Sequence, residues 1–339
     1  MTRPPKLLLT GSRGVVGSAL VSYLKAHHPN VEIVHLDSFP FSLQHLHDAI
    51  KDQHVTYFVN CAAISSDALC TESPYECHEA NVTGVVRQLE IIRRYAPQVR
   101  YLSFGSTHEQ DRTSPYAATK REMREAISSY RSTYGLYAVV ATLGFTESCR
   151  RSPTFLSRKI TSGAAKIAKA LKAGQSFEPL SLFRVDERFH WTWVDDVCDG
   201  VWRMLNQGER SNVNGTMVMK RVDHPLGVPR DFSLISPESA SVKDFARLSF
   251  EAAGVQCQWF QDQEEVGDGQ TLREIKVFGD TRVCDACLAY DETPANTVYD
   301  TGNAPVAQCP ATTDLGWQPR VSFPELVKRM MACEMETTL

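Results

Sequence analysis

The stretch "LLLTGSRGVVGSAL" (residues 7–20) decides how the chain is read. Together with Lys6, its apolar start gives "KLLLT" (6–10), which has the length and composition of a buried strand. Gly11, Gly14 and Gly17 follow as G-x-x-G-x-x-G, and a periodic apolar segment continues from them as a helix. Glycines between a strand and a helix allow a tight turn. They also let backbone amides and the helix N-terminus approach a pyrophosphate. This context makes the segment a dinucleotide-binding loop, with Gly11, Arg13, Gly14, Val15, Val16 and Gly17 expected beside the cofactor.

The same alternation continues outward. "VEIVHLD" (31–37), "VTYFVN" (55–60), "VRYLSF" (99–104) and "YAVVATL" (137–143) have strand length and β-branched or aromatic content. Helical periodicity fills the gaps, and Ser73-Pro74 and Ser114-Pro115 read as an N-cap followed by proline in the first turn. Strands alternating with helices imply an α/β fold, a Rossmann-like doubly wound parallel sheet covered on both faces. Residues 1–150 are expected to form this dinucleotide-binding domain, with part of 190–220 returning to it. Residues 151–339 are expected to form mainly a smaller, interleaved C-terminal substrate-binding α/β lobe. Helices are expected over 155–174, in the second part of 190–205, and over 241–254 and 322–335. Residues 261–312, rich in Asp, Thr, Gly and Pro, read as irregular surface structure.

Asp37 ends the second strand, where a carboxylate accepts hydrogen bonds from the adenosine ribose and repels a 2′-phosphate, so NAD is favoured over NADP. Arg13 is the counter-signal, as a partner for such a phosphate. Ala62 and Ala63, directly after the third strand, are also assigned to the cofactor.

Composition narrows the remaining classes. The chain has 339 residues, 42% hydrophobic and 22% charged, with a net charge of −4. It carries no basic cluster of the kind that binds nucleic acid and no apolar run long enough to span a membrane. The ten cysteines, without a secretion signal, read as reduced thiols of a cytoplasmic protein. Cys284 and Cys287 form a lone C-x-x-C, and His45 and His47 read as solvated helix histidines; no metal site is expected.

Chemistry concentrates in "YLSFGSTHEQDRTSPYAATK" (101–120). Tyr116 and Lys120 stand at i and i+4 near a helix start and share a face. A lysine ammonium beside a phenol favours the phenolate, as acid–base work on a hydroxyl or carbonyl requires. The pair follows a strand ending in Ser106-Thr107. The segment resembles the extended short-chain dehydrogenase/reductase family of NAD-dependent epimerases and dehydratases. Within it, "GSTHE" (105–109), "SPYAATK" (114–120), "FTESCRRSPTFLSRKI" (145–160), "SVKDFARLSFEAAG" (241–254) and "LGWQPRVSFPELVKRMM" (315–331) are similar to the GDP-mannose 4,6-dehydratase branch.

That resemblance implies a catalytic set of Thr107 or Ser106 as hydroxyl partner, Glu109 as base, Tyr116 as acid–base residue and Lys120 as its support. Tyr116 and Lys120 are expected to touch the cofactor as well. It implies a nucleotide-sugar substrate and a homodimer packed through helices near 74–95 and 115–134. Glu109 is the part that selects dehydration, since epimerisation or reduction needs only the hydroxyl, Tyr and Lys. Several family features depart. The usual Asn after the strand at 137–143 is Phe145, "TPAN" (293–296) replaces an Arg-Pro-x-Glu phosphate clamp, and the loop from Glu109 to Tyr116 is short. Thr146, Glu147, Arg158, Lys159 and Arg188 are the expected substrate contacts. Three readings stand: a nucleotide-sugar 4,6-dehydratase, an epimerase or dehydrogenase on another substrate, and a non-catalytic NAD-binding protein.

Overall fold

The computed structural model describes residues 4–36, 43–51, 54–182, 184–213, 216–221, 229–266, 270–280 and 310–337. The chain begins β1 (Lys6–Thr10), α1 (Val15–His27), β2 (Glu32–Leu36), α2 (Leu43–Lys51), β3 (Tyr57–Asn60), α3 (Asp67–Glu72) and α4 (Pro74–His78). A π-helical turn (Glu79–Thr83) leads into α5 (Gly84–Tyr95) and β4 (Arg100–Ser106). A 3₁₀ turn (Thr107–Gln110) then precedes α6 (Pro115–Tyr134), β5 (Ala138–Leu143) and β6 (Phe145–Glu147). Next come α7 (Leu156–Lys172), β7 (Leu180–Leu182), β8 (Arg188–Trp193), α8 (Val194–Leu205), β9 (Gly208–Val213) and β10 (Thr216–Arg221). The last are β11 (Phe232–Ser233), β12 (Ser239–Ser241), α9 (Val242–Ala252), β13 (Gln256–Val266), β14 (Gln270–Asp280), α10 (Pro310–Asp314) and α11 (Phe323–Thr337). These elements divide into one unit of residues 1–146, 194–235 and 299–319 and a second of 147–193, 236–298 and 320–339.

The first unit is built on a six-stranded sheet in the order β11-β5-β4-β3-β1-β2. All its pairings are parallel, with Leu8 opposite both Val34 and Phe58, and Leu102 opposite Val59 and Val139. Side chains alternate across a strand. Leu7, Leu9, Val59, Leu102 and Val139 therefore pack on one face with Leu20, Leu24, Val197 and Val201 from α1 and α8. Leu8, Phe58, Tyr101 and Val140 pack on the other with Leu46, Leu89, Ile92, Met123 and Ile127 from α2, α5 and α6. Burial on both faces explains why the strands read as unbroken apolar runs. This is the doubly wound sheet that the strand–helix alternation predicts. β1 pairs with β2 on one side and β3 on the other, so the winding reverses between β1 and β3. In such sheets, ligands bind beyond the strand C-termini at that reversal.

Polar seams tie α8 to the sheet. Tyr137 donates its hydroxyl to the Met204 carbonyl at 2.7 Å, and Arg100 donates to that of Leu205 at 2.9 Å while lying over the Tyr137 ring. Trp317 is fully buried and donates its indole N–H to the Asp196 carbonyl at 2.7 Å.

In the second unit, β8 pairs antiparallel with β12, and Trp191 stacks among Phe189, Phe245 and Phe323. Ser241 opens α9 with a capping box closed by Asp244. Gly174, in the left-handed region at φ 64°, follows α7 as its sequence implies. One expectation fails here: residues 261–266 and 270–280 are not irregular but belong to the paired strands β13 and β14, the latter also pairing with β7. Strand pairing over that length satisfies the backbone of a segment whose polar composition gives no alternation to read.

The cysteine reading is also corrected. Cys70 pairs with Cys77 and Cys149 with Cys333, at Cα separations of 5.2 and 5.9 Å, while Cys61, Cys198 and Cys257 are free thiols. The first pair joins α3 to α4. The second spans 184 positions of sequence, and nothing in cysteine spacing announces that proximity. Cys284 and Cys287 lie outside the described residues. His45 and His47 sit on α2, and His47 pairs with the neighbouring Asp48. Among the described residues no helix is long and apolar enough to cross a membrane, and no cluster of His, Cys, Asp and Glu is arranged to hold a metal ion.

Trp317→Phe keeps a ring in its pocket but removes the indole donor. It is expected to lower the unfolding free energy by about 1–3 kcal/mol. A urea midpoint equal to that of the wild type would show that the Trp317 bond contributes nothing.

Candidate active site at the C-terminal edge of the sheet

Backbone proximity dictates the glycine loop. Gly11 has φ 64°, and a Cβ there would lie 2.7 Å from the Ala62 nitrogen. A Cβ on Gly17 would lie 2.2 Å from the Gly11 carbonyl oxygen. Gly14 is the N-cap of α1, with an exposed backbone and no side chain to cap the helix. The first-turn amides of Val15, Val16 and Gly17 therefore lack a side-chain acceptor and are open to an anion at the helix N-terminus. This cradle fits a dinucleotide pyrophosphate. Arg13 is exposed at its rim, and Asp37 lies outside the described residues.

The strand ends beneath the loop are cross-bonded. Thr10 donates to Asn60 Oδ1 at 2.6 Å and accepts from the Ala62 amide at 3.2 Å, placing Ala62 and Ala63 beside the loop. Asn60 also accepts from Gln88 and donates to Ser103. Asn81, in the π-helical turn, is 1% exposed. It exchanges two hydrogen bonds with the Ile64 backbone and donates to Thr119 at 3.0 Å, and Thr119 donates to the Tyr116 carbonyl. Thr10, Asn60 and Asn81 are site-shaping residues that the sequence reading missed. Their signal was a polar residue inside an otherwise apolar strand or helix stripe, which a buried polar network explains.

The chemistry-bearing segment folds as strand, turn and helix in that order. Ser106 ends β4 and caps the 3₁₀ turn, accepting from the His108 amide at 3.1 Å. Thr107 opens the turn, half-buried, and among the described residues its hydroxyl makes no hydrogen bond. Of the two candidate hydroxyls, that of Ser106 therefore caps a turn and that of Thr107 is unbonded among the described residues. Glu109 completes a capping box. Its Oε1 accepts from the Ser106 amide at 2.9 Å and from Arg124 Nη2 at 3.0 Å, and its Oε2 from Arg124 Nε at 2.6 Å.

Ser114 caps α6, accepting from the Ala117 amide, and also donates to Asp67. Tyr116 then stands half-buried on the first turn. Lys120, 4% exposed, donates to the Phe104 carbonyl at 2.9 Å and places its Nζ 5.7 Å from the Tyr116 ring centre. Burial lowers the Lys120 pKa to about 8, against the opposing charge of Glu109. His108, also missed in the sequence, sits between Ser106 and Phe145; burial lowers its pKa against the pull of Asp67 and Asp111.

The expected substrate contacts divide. Thr146 ends the first unit, buried, with its hydroxyl unbonded. The others lie in the second unit. Glu147 is fully buried: Oε2 accepts from Ser157 at 2.6 Å while Oε1 has no partner, and burial raises its pKa against Arg151 and Ser157. Arg158 is engaged by Glu334 and the Cys149 carbonyl. Lys159 is exposed on α7, and Arg188 is exposed at the start of β8, bonded to the Ser239 carbonyl. The "TPAN" segment lies outside the described residues.

The model of the NAD dependent epimerase/dehydratase family matches residues 7–219, which hold the glycine loop and the whole Ser106–Lys120 segment. The chain belongs to that family. NAD is therefore its cofactor, as the glycine loop predicts. Family members of similar sequence include the GDP-mannose 4,6-dehydratase sdnI of Sordaria araneosa, 27% identical over 81% of this chain but only 47% of its own length. The chain thus spans about half of that relative. The GDP-mannose 4,6-dehydratase of Vibrio cholerae is 26% identical over 97% of this chain and 93% of its own. Among solved structures, the UDP-glucose 4-epimerase of Thermotoga maritima with UDP-glucose has a TM-score of 0.67 at 17% identity, covering 98% of this chain and all of its own. The dTDP-glucose 4,6-dehydratase of Bacillus anthracis in complex with NAD has a TM-score of 0.65 at 15% identity, covering 98% and 97%. These two share the fold.

Gly17→Ala introduces a methyl where the Gly11 carbonyl stands. NAD affinity, measured by calorimetry, is expected to fall about tenfold or more, equivalent to about 1.4 kcal/mol. Unchanged affinity would place the cofactor elsewhere.

Proposed function

We propose that the protein is an NAD-dependent 4,6-dehydratase of a nucleotide sugar. The observation that carries this reading is the Glu109 carboxylate, fixed in the turn directly after β4, two positions beyond the available hydroxyl of Thr107. NAD, which the Gly11, Gly14 and Gly17 loop would hold, would supply the hydride acceptor for C4 and the hydride donor for C6. Tyr116 takes the proton of the C4 hydroxyl, with the Lys120 ammonium supporting the charge and Thr107 bonding the sugar oxygen. With C4 a ketone, the C5 proton is acidic. Glu109 accepts that proton and passes it to the departing C6 oxygen, which leaves as water. Tyr116 gives its own proton to C5. The sum is loss of one water with no net reduction of NAD.

The GDP-mannose 4,6-dehydratases similar in sequence support the reaction class and a guanosine diphosphate sugar as first candidate. The second unit is assigned to the substrate and the first to the cofactor. A homodimer through α5 and α6 is part of the same proposal, with the half-exposed Tyr95 and Tyr134 at their ends. Arg158 favours a second reading, epimerisation or oxidation of a different sugar, because Glu334 and a backbone carbonyl already engage its guanidinium.

Incubation with GDP-mannose and other nucleotide sugars separates the two. A 4-keto-6-deoxy product without net NADH supports dehydration, whereas a product that keeps its C6 oxygen supports the second reading. Tyr116→Phe is expected to lower kcat by about a hundredfold or more.

Lys120 adds a pH dependence. Its charged form supports Tyr116, and that charge is lost as pH rises through about 8. Turnover should decline on the alkaline side near that value, and Lys120→Arg should move the decline upward. A profile flat to pH 10 would remove Lys120 from this role.

A further inference from the structure

We propose that Arg124 is the positioning residue for Glu109, fixing its carboxylate so that one lone pair on Oε2 is left to take the substrate proton. This rests on the dehydratase reading. An ionised carboxylate offers about four acceptor sites. Three are filled, two by the Arg124 guanidinium and one by the Ser106 amide. The filled set includes both sites on Oε1, so the open one belongs to Oε2.

Arg124 is itself anchored. Its Nη2 donates to Thr142 Oγ1 at 2.7 Å, and its Nη1 lies 3.5 Å from Asp231 Oδ2. Asp231 is held in turn by Arg131 at 2.6 Å and by the Val140 amide at 2.8 Å. The guanidinium is thus a fixed post between the sheet edge and the turn. Burial opposes its charge, but Glu109 and Asp231 outweigh that and hold it more firmly protonated than usual.

Two observations make the pair specific. Tyr116, Lys120 and Arg124 fall at i, i+4 and i+8 of α6, so one helix face delivers phenol, ammonium and guanidinium to the same strand end. Gly105 leaves room for the contact, since a Cβ there would lie 2.5 Å from Arg124 Nη2 and 2.6 Å from Glu109 Oε1. The other charged or titratable groups around Glu109 are Lys120, which acts on it through space, and Arg121, which bonds its backbone carbonyl, both from α6. Asp231, before β11, acts through Arg124, and His108 and Asp111 belong to its own turn. Among the described residues, only Arg124 contacts the carboxylate with a side chain.

The test follows product formation from GDP-mannose, or whichever nucleotide sugar the wild type dehydrates. It also follows reduction of bound NAD in a single turnover. In Arg124→Gln elimination is expected to slow about tenfold or more, because the two donors that orient the base are lost. Reduction of bound NAD should change little. Arg124→Lys keeps the charge without the fork and should restore part of the elimination rate. Thr142→Val loosens the anchor without touching Glu109 and should give an intermediate loss. Elimination at the wild-type rate in a folded Arg124→Gln overturns the proposal; if that variant does not fold, wild-type rates in both Arg124→Lys and Thr142→Val do so. A wild type that yields no dehydrated product from any nucleotide sugar removes the dehydratase reading itself, and the role of Arg124 with it.

Discussion

The Gly11 carbonyl occupies the space that a side chain at position 17 would need. That contact seats the first turn of α1 against the end of β1, and the rest of the cofactor side follows from it. Because Gly14 at the N-cap has no side chain, the first amides of α1 stay uncapped. Because β1 ends there, Thr10 reaches across to Asn60 and to the Ala62 amide, and β3 is locked alongside. From Asn60 the bonding continues to Ser103 on β4 and to Gln88 on α5. Tyr101 adds a further bond to Gln88, so the network is satisfied rather than a buried cost.

Much of the fold was legible because buried parallel strands need apolar residues on both faces, and "KLLLT" and "VTYFVN" carry them. The tyrosine helix was legible for another reason: Ser114 and Pro115 mark its start, and the i, i+4 spacing of Tyr116 and Lys120 is fixed once a helix is assumed. What stayed hidden depends on partners distant in sequence. Arg124 reads as one more surface arginine until Glu109, Thr142 and Asp231 surround it. Arg158 reads as a free cation until Glu334 meets it. A single cap distinguishes Ser106 from Thr107, and the cysteine pairs depend on approaches that no local pattern encodes.

The site also shows how one helix can separate two electrostatic tasks. Lys120 is almost wholly buried beside a backbone carbonyl, where desolvation makes its proton easy to lose. One turn further on, Arg124 is partly buried too, yet two carboxylates keep its charge secure. A lysine suits the first position because its proton is exchangeable in the working range, and an arginine the second because its charge is permanent and its donors are forked. In the proposed reaction, Tyr116 thus has a support that responds to pH, while Glu109 has one that does not.

The bond between Cys149 and Cys333 has a topological consequence. It closes the chain between them into a covalent ring, and that ring includes α8 and β11, which belong to the first unit. The ring therefore includes chain segments of both units. A single backbone cut anywhere from 150 to 332 leaves one covalently connected molecule, so fragments of the two units can separate only after reduction.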